Sequence, residues 1–197
     1  MKTLCQFVFR FVLLFGLLAW PWSGLHQAGS AWFRVETRFL VSTAFPQQAF
    51  CVEPLSDSRR PALDIQVLVP GQENVGPDGR TTALAIPFDS YSQGWMPLAM
   101  LIALGMATPL PWSKRIQVLL VGGGFIQLLI AATILVSVSF QLSNGVPPTV
   151  GHLPFMFANR LLVENIWFSF VPSFLLWAGW LAWGGYWKQL AEKLTVK

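Results

Sequence analysis

The sequence predicts a mainly α, integral membrane fold: four transmembrane helices with a small α+β extracytoplasmic cap, the cap being an amphipathic helix plus a β-hairpin. Three observations lead there. Four apolar runs, about Leu4–Trp22, Trp95–Trp112, Ile116–Gln141 and Leu161–Trp187, each approach the roughly 20 residues that cross a hydrocarbon core of about 30 Å. The last three hold a single ionisable residue, Glu164. Composition agrees, because 54% hydrophobic and 11% charged residues depart far from a soluble domain, where about a quarter of residues are charged. The third observation is how the net charge of +4 is distributed. Alternating the gaps between two sides puts Lys2, Lys114, Arg115, Lys188, Lys193 and Lys197 together, opposed there only by Glu192. Segment 23–94 instead sets Arg34, Arg38, Arg59, Arg60 and Arg80 against seven acids. The basic gaps are therefore read as cytoplasmic, with both termini inside.

The chain divides into an N-terminal anchor (1–22), an extracytoplasmic α+β segment (23–94), a three-helix transmembrane bundle (95–187) and a basic cytoplasmic tail (188–197). The first run could also be a cleaved signal peptide, since it has a basic start and small residues at Ala28-Gly29-Ser30-Ala31. The distance from the apolar region to those residues, and Pro21 between them, favour an uncleaved anchor. Arg10, near its start, can snorkel to the cytoplasmic side. Pro21 and Ser23-Gly24 break the helix after it.

From about Ala28 to Phe45, the apolar Ala28, Trp32, Val35, Phe39 and Leu40 recur at helical spacing, with Arg34, Thr37, Arg38 and Ser42 on the other side. This predicts an amphipathic helix lying on the membrane surface or capping the bundle, ending near Pro46. Leu63, Ile65, Val67 and Val69 alternate with their neighbours and predict a strand; Thr81 to Ile86 is its return partner across a turn at Gly76-Pro77-Asp78-Gly79. Pro97 begins the second span and Pro109/Pro111 end it, while Ala99, Ala103 and Ala107 form a small-residue stripe suited to close helix contact. Gly122-Gly123-Gly124 in the third span predicts a close crossing or a bend. Pro172 falls in the middle of the fourth span, which closes on Trp177, Trp180, Trp183 and Trp187.

Residues that could carry chemistry are few. Two histidines and two cysteines at unrelated spacings give no metal site, and no cofactor is expected. Cys5 in the membrane and Cys51 outside it cannot pair internally. Without a basic patch interleaved with aromatics, nucleic-acid binding is excluded. A nucleophile reading combines Cys51, His152 and Arg160, all assigned to the outer side. It is opposed by Glu53, which would raise the Cys51 pKa. Glu164 and Asn165, one turn into the last span, with Arg160 four residues earlier on the same face, are the interaction candidates. The expected partners are the lipid bilayer and another membrane protein; the sequence places no constraint on oligomeric state. A small transporter is disfavoured because one membrane acid supplies little polar lining.

The runs Ile86-Pro87-Phe88, Gly94-Trp95-Met96-Pro97-Leu98-Ala99, Ala107-Thr108-Pro109 and Phe170-Val171-Pro172-Ser173-Phe174-Leu175-Leu176-Trp177 resemble the exosortase H-associated membrane proteins, over about residues 60–185. These are small bacterial inner-membrane proteins found with an exosortase. The resemblance implies a multi-pass inner-membrane protein with a non-catalytic accessory or scaffold role in protein sorting, and it assigns no catalytic residues. The exosortase itself is a multi-span cysteine transpeptidase with a Glu-Ala-Cys-Ser-like motif. This chain departs from that motif, reading Ala49-Phe50 before Cys51 and Val52-Glu53-Pro54 after it.

Overall fold

A computed structural model describes residues 2–55, 64–75, 81–143, 170–184 and 186. The described elements are α1 (Lys2–Leu18), α2 (Ser23–Ala44), β1 (Cys51–Pro54), β2 (Ile65–Val75), β3 (Thr81–Phe88), α3 (Met96–Ala107), α4 (Trp112–Ser143) and α5 (Val171–Trp183). The fold is mostly helical, with one long apolar helix and one three-stranded antiparallel sheet in the order β1-β2-β3. Two compact units divide the chain. One comprises Met1–Trp22, Trp95–Leu128 and Trp167–Lys197; the other comprises Ser23–Gly94 and Leu129–Ile166.

The first unit packs α3 against α1 and α5. The predicted small-residue stripe is its contact surface, with Ala99, Ala103 and Ala107 almost fully buried. Without large side chains there, neighbouring backbones can approach closely. Gly105 on α3 and Gly122 on α4 do the same between those two helices. A Cβ on Gly105 would lie 3.1 Å from Leu119 Cδ2, and one on Gly122 would lie 2.9 Å from Leu101 Cδ2. The predicted close crossing is thus made at Gly122 alone, because a Cβ on Gly123 or Gly124 would meet nothing within 4 Å. Phe7, Phe11 and Phe15 line one side of α1, with Phe7 stacked on Trp177 at 5.9 Å and Phe15 edge-on to Phe170 at 6.1 Å.

In the second unit, the two-residue alternation is borne out. Ile65, Val67, Val69, Ile86 and Phe88 are buried, whereas Ala85 and Pro87 are exposed. The β2–β3 register pairs Ile65 with Phe88 and Val67 with Ile86, then shifts between Val69 and Glu73, where Pro70-Gly71 interrupts β2. A third strand was not expected. Cys51–Pro54, outside the predicted hairpin, pairs antiparallel with β2 from Cys51↔Leu68 to Pro54↔Ile65. It buries Val52 and gives the hairpin the third strand that a stable sheet needs.

The span count is corrected by the structure. Among the described residues one helix, Trp112–Leu142, is long and apolar enough to cross a membrane, or two if the broken pair Leu4–Leu18 and Ser23–Ala44 is one span. Prolines cause the difference. Pro97, lacking an N–H, follows a wide π-helical turn at Tyr91–Trp95, and Thr108 turns to extended backbone before Pro109. That leaves α3 twelve residues, about 18 Å, short of a hydrocarbon core. Pro172 stands in the first turn of α5 rather than mid-helix, so α5 has thirteen residues. Residues 161–169 of the predicted fourth span lie outside the described residues.

In α2 the packed side is not its most apolar one. Its packed residues are Phe33, Thr37 and Val41, and Phe33 sits 6.2 Å from the Phe88 ring. The more apolar Trp32, Val35 and Phe39 are exposed. The helix also begins earlier than predicted, since Ser23-Gly24 form its first turn.

Candidate functional site

Polar groups in the second unit gather at two places: the helical entry after β3, and the α2–β1 groove. At the first, Asp64 precedes β2 and Asp89 follows β3. Antiparallel pairing brings the start of one strand beside the end of the other, and the Asp64 amide donates to the Phe88 carbonyl at 3.2 Å. Asp64 Oδ1 then accepts the Ser90 amide at 2.9 Å, and its Oδ2 accepts the Ser90 hydroxyl. Asp89 Oδ1 accepts the Tyr91 and Ser92 amides, both at 3.0 Å, and its Oδ2 accepts the Ser92 hydroxyl at 2.7 Å. Free amides at a helix start need acceptors, and carboxylates also favour the positive end of the helix dipole. Both acids therefore have structural work at this helix start. Tyr91 is stacked on His26 at 5.9 Å. Partial burial, and then the charge of Asp89, push its phenol above the ordinary value. Gly94 closes the same region, because a Cβ there would lie 2.8 Å from the Phe33 ring.

The second place is an open groove of about 370 Å³ lined by Ala31, Arg34, Val35, Arg38 and Val52. Arg34 and Arg38 are one helical turn apart on α2 and project on the same side. The Nε of Arg34 is buried and has no hydrogen-bond partner. Guanidiniums are the side chains best shaped to pair with carboxylates and phosphates, and this groove holds two of them between aliphatic walls. The sequence placed both arginines on one side of α2, but their groove wall comes from β1, the strand that short-range periodicity missed.

Cys51 is half-exposed on β1, and its thiol donates to Glu53 Oε1 at 3.2 Å. That hydrogen bond raises the thiol pKa above its ordinary value, with burial and the Glu53 charge adding to it, while Arg38 pulls the other way. The sequence reading of Glu53 is borne out. A strand places residues i and i+2 on one side, so Cys51 and Glu53 meet as a direct result of strand geometry. Such a thiol is held protonated and is a weak nucleophile. His152 and Arg160, the other members of the nucleophile reading, lie outside the described residues. So do the interaction candidates Glu164 and Asn165. The described residues bring none of these groups to Cys51.

In the first unit, polar side chains serve the backbone. Trp22 Nε1 donates to the Leu17 carbonyl and Trp95 Nε1 to the Leu18 carbonyl, both at 2.8 Å. Ser173 Oγ donates to the Pro97 carbonyl at 2.7 Å. Trp177 Nε1 donates to Thr108 Oγ1 at 2.8 Å, and Thr108 Oγ1 donates to the Leu104 carbonyl. Arg115 folds back from the start of α4, its Nε donating to the Leu110 carbonyl at 2.8 Å and its guanidinium lying 5.1 Å from the Trp112 ring. No group of three His, Cys, Asp or Glu able to hold a metal ion occurs among the described residues. Compared with family models, curated proteins and solved structures, the chain matches none of them.

Proposed function

We propose that this chain is a membrane-embedded, non-catalytic accessory protein that binds another membrane protein through its sheet-bearing unit. The observation that carries the reading is α4. Val118, Gly122, Ile126, Ile130, Ile134 and Val138 form a buried line every fourth residue, while Leu120, Val121, Phe125 and Leu128 are exposed on other sides. A helix 32 residues long and apolar on both its packed and its exposed sides is suited to a hydrocarbon solvent. The finer reading is a multi-pass protein of the bacterial inner membrane with both termini cytoplasmic. In it the shorter apolar helices α1, α3 and α5 complete the membrane part, and Ser23–Gly94 lies outside. Its partner is a sorting enzyme of the exosortase type, a proposal that rests on the short motifs around Pro97 and Pro172.

A non-catalytic role is supported by the protonated state of Cys51, whose proton is held by Glu53. Binding through the sheet is supported by its edge strands β1 and β3, each paired with one strand among the described residues. A photo-crosslinker placed at Ala85, exposed on β3, tests the partner in membranes that contain the protein at native level. The expected product is an adduct with one multi-span cysteine transpeptidase, identified by mass spectrometry. Failure to form that adduct while the protein remains correctly inserted removes the partner assignment.

A further inference from the structure

Packing of α2 through Phe33, Thr37 and Val41 leaves its apolar face to explain. At 3.6 residues per turn, Trp32, Val35 and Phe39 fall within about 60° of one another, on the side of the helix opposite Phe33, Thr37 and Val41. They are 65%, 67% and 67% exposed. Three large side chains on the outermost line of a helix form a contiguous apolar patch, whereas scattered single residues would be ordinary. Arg38 borders this line beside Val35, Arg34 lies about 40° further round toward the packed side, and Val35 belongs to both the line and the arginine groove. The same chain presents exposed Trp20 and Trp22 just before α2, the residue type that collects at headgroup level.

We propose that this face of α2 binds the surface of an anionic phospholipid bilayer. Trp32, Val35 and Phe39 enter the boundary between headgroups and acyl chains, and Arg34 and Arg38 take the lipid phosphate. Charge complementarity selects this occupant. Two arginines a turn apart, one with a buried Nε lacking a partner, match a phosphate better than a neutral protein surface, and lipid tails match the aromatic line. The same groove fits no apolar segment unless both guanidiniums are left unpaired. The proposal rests on the membrane embedding assigned to α4, but it does not require a protein partner.

The test uses the full chain carrying Cys5→Ser and Cys51→Ser, with one new cysteine by Phe39→Cys, labelled with an environment-sensitive fluorophore and reconstituted into phosphatidylglycerol-containing vesicles. A second protein carries Leu128→Cys instead, on the exposed side of α4. The expected result is quenching of the position-39 label by lipids bearing a nitroxide near the headgroup, with protection from aqueous iodide. Each of Arg34→Gln and Arg38→Gln should lower the docked-to-undocked ratio about 5-fold in these vesicles, and have no effect in neutral phosphatidylcholine. Quenching of position 39 by iodide alone overturns the proposal by showing a water-facing helix. Protection from both quenchers also overturns it, because protein then covers the face. Arginine variants that leave the ratio unchanged overturn the phosphate contact. If the Leu128 label escapes lipid quenching as well, membrane embedding itself has failed; if Leu128 is quenched and position 39 is not, only the lipid face of α2 has failed.

Discussion

The two compact units satisfy their backbone ends with different chemistry. Around α1, α3 and α5 the donors are neutral: indoles of Trp22 and Trp95 and hydroxyls of Ser173 and Thr108 reach carbonyl oxygens. In the sheet-bearing unit, carboxylates of Asp64 and Asp89 accept the amides of the helical entry. The described residues of the first unit contain no Asp or Glu, whereas those of the second contain Glu36, Glu53, Asp64, Glu73 and Asp89. An ionised group taken out of water costs several kcal/mol even after relaxation, roughly ten times the tenths of a kcal/mol that separate one good cap from another. Neutral caps therefore suit a unit solvated by hydrocarbon, and charged caps suit one that meets water and headgroups. The contrast agrees with the proposed membrane placement of the first unit and draws on hydrogen bonds rather than hydropathy.

The largest effect expected is from Phe88→Ala, which removes a ring at the centre of the sheet core and should destabilise that unit by about 3–5 kcal/mol. Hydrogen exchange should show faster exchange along β2 and β3, with α3 amides still protected. Equal loss in α3 would show a single cooperative body and break the comparison. Ser173→Ala should cost about 1 kcal/mol, the net worth of one neutral hydrogen bond, with the loss confined to α3 and α5 in the same experiment. The smallest effect is kinetic and concerns Cys51. Its raised pKa means a smaller thiolate fraction than a free thiol has at about pH 8, below the ordinary thiol pKa of about 8.5. Glu53→Gln removes both the charge and the anionic acceptor, so the pKa falls and alkylation at that pH becomes faster. An unchanged rate would mean that Glu53 does not hold the proton.

Periodicity made some of this legible. The alternation Ile65-Val67-Val69 and the spacing of Ala99, Ala103 and Ala107 gave the buried faces of β2 and α3, because each reflects a local repeat. The acid at Glu53 gave the state of Cys51. β1 was not legible, since four residues carry too little pattern and its register depends on partners from Leu68 to Ile65, well along the chain. The sequence marked the apolar line of α2 as a face for membrane or bundle, but not which residues pack on the sheet. Sequence reasoning buries the most apolar line of a helix, yet here Thr37 is fully buried while Trp32 and Phe39 face outward. That rule holds when water is the only alternative to the core. The span count failed through prolines whose effect on helix length depends on where each helix starts. Pro172, mid-run in sequence, is a first-turn residue in the fold.

The indole of Trp95 on the Leu18 carbonyl joins groups 77 residues apart. At translation rates of about 5–20 residues per second, Trp95 leaves the ribosome roughly 4–15 s after Leu18. Throughout that interval the carbonyl at the end of α1 lacks this indole as a partner. Closure of that single bond is therefore a late event in biogenesis. A chain halted before Trp95 would lack the indole donor that ties the end of α1 to the start of α3.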